Sequence, residues 1–393
     1  MSDAAAARLD PDRLIEQASE LAGSDDFGDD DGWRENLSRL LEDLVAEADL
    51  SPIGVEVAAA DVILPLRNRL QITAWRKEHP RVAGQRIERP IVIIGQPRTG
   101  TTILYDLLAQ DPDLRAPLTW EVDHPTPAPQ PETYRSDPRI DQTQAQLEMT
   151  EQLIPGFMKF HPMDARVGQE CVRIFAGAFC SMIFTVQYRL PNYQRWLMHD
   201  ADHGPAYRYH RKYLQHLQSG VPGQWLLKTP AHLWQLGDLL AEYPDALLVQ
   251  THRDPLVVMS STSALMRHLR RLASDNPTIP QAAQQCSDEI VLGLNRALRW
   301  FDEGVVDESR IINVQFADFM RDPFATIATI YERLGRELTP TAETLMREHL
   351  SAHPGDGGGS RYTWADTGLD AAELRERVRA YQEHFDVPSE ELR

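Results

Sequence analysis

Cysteine is scarce in this chain: Cys171, Cys180 and Cys286 are the only three among 393 residues. Their number and irregular spacing exclude a disulfide framework and a zinc site, and suit a reducing intracellular compartment. Long apolar runs are missing too. None approaches the ~20 residues a membrane span needs, so no integral membrane segment is expected. The N-terminus, Met1-Ser-Asp-Ala-Ala-Ala-Ala-Arg8, lacks the basic stretch and apolar run of a signal peptide, and a cytoplasmic location is the expectation. Positive charge is also short: 40 Lys and Arg against 59 Asp and Glu give a formal net charge of −19. That excludes nucleic acid or an anionic membrane surface as the main partner, because both attract polybasic faces. An anionic ligand must then be held by a few local cations. No internal repeat and no cluster of metal ligands is evident, so no metal is expected.

What is present is a globular composition. With 42% hydrophobic and 25% charged residues the chain can bury a sizeable core and stay in solution. Apolar residues recur at helical spacing over 10–23, from Trp33 through Leu37, Leu41 and Leu44, and again between Val55 and Trp75, where Pro65 should kink or divide the helix. Between the first two lies Ser24 to Asp31, with five aspartates, which reads as a solvated loop. Residues 1–88 therefore form a helical N-terminal region.

At Pro90 the pattern changes. Ile91-Val-Ile-Ile94 is a short β-branched run suited to a strand buried on both faces of a parallel sheet. Further short strands are expected around Ala116 to Trp120, at Trp225–Lys228, at Ala246–Thr251 and at Ile311–Phe316, with helical patterns between them. Such alternation predicts a parallel sheet with ligands at the carboxyl ends of its strands. A helical insertion at about 125–220 carries many aromatic residues, among them Phe157, Phe175, Phe179, Phe184, Tyr188, Tyr193 and Trp196. These read as helix core, part of which can wall an apolar ligand pocket.

Gly95-Gln-Pro-Arg-Thr-Gly100 joins the first strand to a helix, where backbone N–H groups and the helix N-terminus can converge on an anion. It half-matches the nucleoside-triphosphate loop G-x-x-x-x-G-K-[ST], but Thr101 stands where that motif has lysine. The local cation is Arg98.

In Pro97-Arg-Thr-Gly-Thr-Thr102 the loop resembles that of the PAPS-dependent sulfotransferases, P-[KR]-[ST]-G-T-[ST] (PAPS is 3′-phosphoadenosine 5′-phosphosulfate). The resemblance implies that Thr99, Gly100, Thr101 and Thr102 grip the donor's 5′-phosphosulfate, with Arg98 in the family's cationic position. Arginine cannot donate a proton at working pH, so Arg98 can supply charge stabilisation but not acid catalysis. Arg253, in Thr251-His-Arg-Asp-Pro255, and Ser261 eight residues on match the pair that binds the donor's 3′-phosphate. Lys228, in Lys228-Thr-Pro-Ala-His232 and 25 residues before Arg253, matches the lysine that acts on the transferred group. Two candidates stand for the base: His232, with more intervening residues than the family usually shows, and Glu121, 23 residues after Arg98, where heparan-type and some bacterial members place a catalytic glutamate. In Val314-Gln-Phe-Ala-Asp-Phe-Met-Arg-Asp-Pro323, Phe316 and Ala317 replace the family's tyrosine and glutamate. Gly355 to Leu369 resembles a C-terminal piece that closes over the donor, and Arg361 within it is a candidate 3′-phosphate ligand.

The resemblance runs in unbroken order from about Pro90 to Leu369. It implies an α/β fold with a central parallel sheet flanked by helices, P-loop-NTPase-like, over 89–393. The implied activity is sulfuryl transfer from PAPS to a hydroxyl of a small, apolar acceptor (alcohol, lipid or phenol), leaving 3′,5′-ADP and needing no metal. A homo-oligomer stays open. Two other readings are a P-loop kinase or NTPase, which Thr101 disfavours, and a catalytically silent nucleotide-binding interaction protein.

Overall fold

The β-branched run after Pro90 forms strand β1, Ile91–Gly95, in the computed structural model, which describes residues 3–29, 31–153, 155, 163–353 and 363–393. Ile91 and Ile93 enter an apolar cluster with Leu104, Leu226, Val249 and Phe319, while Val92 and Ile94 alternate to the other face and are equally buried. A strand covered on both faces can be apolar throughout, which is why β1 shows no alternation. Strands β2 (Leu114–Arg115), β3 (Gln224–Lys228), β4 (Leu247–His252) and β5 (Ile311–Gln315) join it in the order β2-β3-β1-β4-β5. Every pairing is parallel, with Ile93 opposite Lys228 and Gly95 opposite Thr251. Helices Thr101–Leu108, Leu236–Glu242 and Ile279–Asp302 occupy successive crossovers, giving the P-loop-like α/β architecture. Since β1, β3 and β4 are neighbours and parallel, their carboxyl ends share one edge of the sheet, where open α/β sheets bind ligands.

The second strand differs from expectation. It ends at Arg115, and Thr119–Asp123 is a short helix rather than strand. Pro117 has no N–H for a ladder, and the chain beyond it pairs elsewhere: Thr119 and Trp120 donate to the carbonyls of Val167 and Ala165, and Pro117 accepts from Gln169.

The chain forms two compact units. The sheet unit comprises Glu88–Ala116, Gly223–Leu265 and Thr278–Arg393. The helical unit comprises Met1–Ile87, Pro117–Pro222 and Met266–Pro277, so the N-terminal helices share one unit with the long insertion.

In the helical unit, helix Pro11–Ala22 is capped by Asp10, whose carboxylate accepts from Arg13 N at 3.0 Å, and buries Leu14 and Ala18. Helix Trp33–Glu47 buries Trp33, Leu37, Leu40, Leu41 and Leu44, the stripe its spacing predicts. Helix Pro52–Glu78 runs through Pro65 without a break. Buried Ala58, Val62, Leu66 and Leu70 pack it on both sides of the proline, and tertiary packing overrides the local cost there. The acidic run is not simply solvated: Arg69, 3% exposed, donates to the carbonyls of Phe27 and Asp29 and to the Asp31 carboxylate, and Phe27 packs on Trp33. A buried guanidinium needs such acceptors, and the acidic loop supplies them. Among the described residues, no helix is long and apolar enough to cross a membrane.

Candidate functional site

The loop after β1 has an unusual backbone. Gly95 (φ 138°), Arg98 (φ 66°) and Gly100 (φ 87°) all have positive φ. The space around the glycines is as restrictive as their dihedrals: a Cβ at Gly95 would lie 2.4 Å from Thr251 Oγ1, and one at Gly100 3.1 Å from the Phe316 ring. Arg98 has a side chain and still adopts the left-handed region, a strain of about 1–2 kcal/mol that the surrounding bonds must offset. Thr99, 2% exposed, provides one of them: its hydroxyl donates to Gln96 O at 2.6 Å and lies 2.6 Å from Thr251 Oγ1. That hydroxyl therefore braces the loop against β4. Helix Thr101–Leu108 starts at Gly100 with no side-chain cap, which leaves the N–H groups of its first turn for a ligand.

Three cations bond into this loop or beside it. Arg98 Nε donates to Ser261 Oγ at 2.9 Å, and Lys228 Nζ to Thr102 Oγ1 at 3.2 Å. Lys228, at the end of β3, is 2% exposed and lies 5.4 Å from the centroid of the Tyr105 ring. Arg253, just past the end of β4, donates through Nη1 to Arg98 O at 3.2 Å. Sequence reasoning pairs Ser261 with Arg253; here the Ser261 hydroxyl meets Arg98, so the loop cation and the helix starting at Pro255 are tied directly. The result is a donor-rich rim built from the ends of three adjacent strands.

Other expected residues lie as follows. His232 sits on the 3₁₀ turn Pro230–Leu233 in the sheet unit and is fully buried. Glu121 belongs to the helical unit, on Thr119–Asp123, and is fully buried, with Oε2 accepting from Leu118 N at 3.0 Å and from Tyr134 Oη at 3.1 Å. Phe175, Phe179, Phe184, Tyr188 and Tyr193 are buried in the same unit, and contacts such as Phe179 on Phe184 show them packing as core. Phe157 and Arg361 lie outside the described residues.

What surrounds Arg253 comes from segments distant in the chain. Its guanidinium carbon stands 4.1 Å from the centroid of the ring of Phe316, the residue that replaces the family's tyrosine. Glu390, near the C-terminus, accepts from Arg253 Nε and Nη2 at 2.9 and 3.1 Å. Asp254, fully enclosed, accepts two 2.6 Å bonds from Arg375 and one from Glu390 N. His252 on β4 bonds Tyr381 Oη and Asn313 Oδ1, and burial lowers it to about 4, so it stays neutral beside these charges. A separation of 137 residues hides the Arg253–Glu390 pair from any local motif.

Residues 90–340 match the model of the sulfotransferase family. A crystal structure of sulfotransferase STF9 from Mycobacterium avium is similar over 96% of this chain and 97% of its own, with 30% identity and a TM-score of 0.87. Sulfotransferase STF1 from Mycobacterium tuberculosis H37Rv is similar over 94% of this chain and 98% of its own, at 32% identity and a TM-score of 0.83. The omega-hydroxy-beta-dihydromenaquinone-9 sulfotransferase Stf3 of Mycobacterium bovis is 25% identical over 279 residues, 67% of each chain.

Proposed function

Because the chain belongs to the sulfotransferase family, we propose that it transfers a sulfuryl group from PAPS to a hydroxyl of a small apolar acceptor and releases 3′,5′-ADP. One observation carries the donor assignment: Arg98, Lys228 and Arg253 converge on a left-handed loop that has threonine where a triphosphate loop has lysine. Arg253 and Ser261 also match the pair that binds the donor's 3′-phosphate in that family, which supports a nucleotide with phosphate at both its 5′ and 3′ positions.

In this reading the N–H groups of Gly100, Thr101 and Thr102 hold the 5′-phosphosulfate. Arg253 and Ser261, with Arg361, serve the 3′-phosphate, where a guanidinium can form paired charge-assisted bonds. The acceptor oxygen bonds to sulfur as the bond from sulfur to the 5′-phosphate oxygen breaks in line. Arg98 and Lys228 stabilise charge on the bridging and sulfuryl oxygens, worth about 3–4 kcal/mol for a well-placed donor. Glu121 takes the acceptor proton; the bonds from Leu118 N and Tyr134 Oη orient its carboxylate. His232 is the alternative base. The chemistry rests on positioning and fixed charge, as in phosphoryl transfer.

An apolar alcohol as acceptor is supported by the Mycobacterium bovis relative, whose name gives a hydroxylated menaquinone derivative as its substrate. The net charge of −19 argues against a sulfated polysaccharide, which needs a basic groove. The test is transfer of ³⁵S from labelled PAPS to pooled lipid, phenol and sugar alcohols. Labelling confined to apolar alcohols is expected. Magnesium-dependent ATP turnover with no labelled product would revive the kinase reading.

A further inference from the structure

The C-terminal tail reaches the proposed donor site through one carboxylate. Glu390 occupies the Nε/Nη2 edge of Arg253, Phe316 covers a face of the guanidinium at 4.1 Å, and Arg98 O accepts from Nη1. Among the described residues, these bonds use three of the five N–H donors of the arginine, which leaves one on each Nη nitrogen. The plane of the group is thereby fixed. The tail that does this is itself anchored: Glu390 N donates to Asp254, whose carboxylate is held on its other side by Arg375 from helix Ala371–His384. Val387 and Gln382 exchange two further bonds of 2.9 and 3.1 Å, and Trp364 N donates to the Arg393 carbonyl.

We infer that Glu390 is a positioning residue, which holds Arg253 with its remaining N–H pair presented to the 3′-phosphate of the donor. The inference rests on the PAPS reading. A carboxylate that merely filled the arginine's fork until a phosphate displaced it would need no attachment of its own. Glu390 is attached through its backbone N–H to a fully buried aspartate one residue from the arginine it braces. Orienting a long, flexible side chain before binding removes part of the ordering cost of association. Since Glu390 acts only through Arg253, its effect must be confined to the 3′-phosphate.

The experiment is calorimetric titration of the full chain with 3′,5′-ADP and, in parallel, with ADP, which lacks the 3′-phosphate. Glu390→Gln keeps the size and removes the charge. It should weaken 3′,5′-ADP by about tenfold, the scale on which outer partners act at other charged sites, and leave ADP unchanged. Glu390→Asp, one methylene shorter but still charged, should fall between the two. In an Arg253→Ala background Glu390→Gln should add no further loss. Equal weakening of both nucleotides, or an undiminished loss in the Arg253→Ala background, would show a general structural role and overturn the inference. Tighter 3′,5′-ADP binding by Glu390→Gln would make the carboxylate a competitor of the phosphate, which also overturns it. Failure of the wild-type protein to bind 3′,5′-ADP at all would instead bring down the donor reading itself.

Discussion

The two units reach their functional residues by different routes. In the sheet unit Lys228 ends one parallel strand and Arg98 and Arg253 closely follow two others, so three short segments of sequence meet at one edge because the strand order makes them neighbours. In the helical unit, the N-terminal helices and the 117–222 segment are far apart in sequence, and the candidate base Glu121 is held by a backbone N–H three residues away and a tyrosine thirteen residues away. Anion binding uses backbone and a few cations, which motifs record. A buried carboxylate among helices depends on packing, which they do not.

The difference can be sharpened by separating donor binding from turnover. The largest effect should come from Arg98→Ala: transfer from labelled PAPS should fall about 10³-fold, the loss expected for the group proposed to stabilise charge on the reacting oxygens. Glu121→Gln should lower the turnover number by about 10²-fold, the range of general-base catalysis, while 3′,5′-ADP affinity stays at the wild-type value. Full activity of that variant, with His232→Ala inactive, would move the base into the sheet unit and dissolve the division of labour. Arg253→Ala should weaken 3′,5′-ADP by roughly 50-fold in calorimetry, the loss of charge-assisted hydrogen bonds, with a smaller effect on turnover at saturating PAPS.

The smallest effect concerns stability, and it bears on both units. Burial lowers His210 to about 3 and His216 to about 4 in the helical unit, and His252 to about 4 in the sheet unit. Folded values below the unfolded ones mean that the unfolded chain binds more protons as pH falls below about 6.5. Stability is therefore complete above that pH and is lost on acidification toward 4. Each histidine contributes a slope of up to about 1.4 kcal/mol per pH unit. Urea denaturation between pH 7 and 5 should show a falling midpoint, less steep in His210→Phe; a flat midpoint would mean that these rings are not buried as neutral groups.

How much could be read in advance follows the same division. The parallel α/β fold was legible because what selects it is local, a β-branched run and short apolar strands alternating with helical patterns; Lys228, Arg253 and Ser261 were picked out by resemblance to the family, and their roles belong to the proposal. The second strand was placed too late because Ala116-Pro-Leu-Thr-Trp120 has strand composition, and only its pairing with residues 165–169 shows that it leaves the sheet. Arg69 turns the acidic run into a ligand for a buried guanidinium, a role that depends on a residue 38 positions beyond Asp31. Phe316 departs from the family's tyrosine and still has a place, stacked under Arg253. Glu390 was invisible for the plainest reason: nothing near it in sequence says that the tail returns to β4.

The most direct test of a 3′-phosphorylated sulfuryl donor is calorimetric titration of the wild-type chain with 3′,5′-ADP and, separately, with ATP and magnesium. Binding of 3′,5′-ADP with little or no heat from ATP is expected. Tight ATP binding with none of 3′,5′-ADP would contradict a PAPS-dependent enzyme.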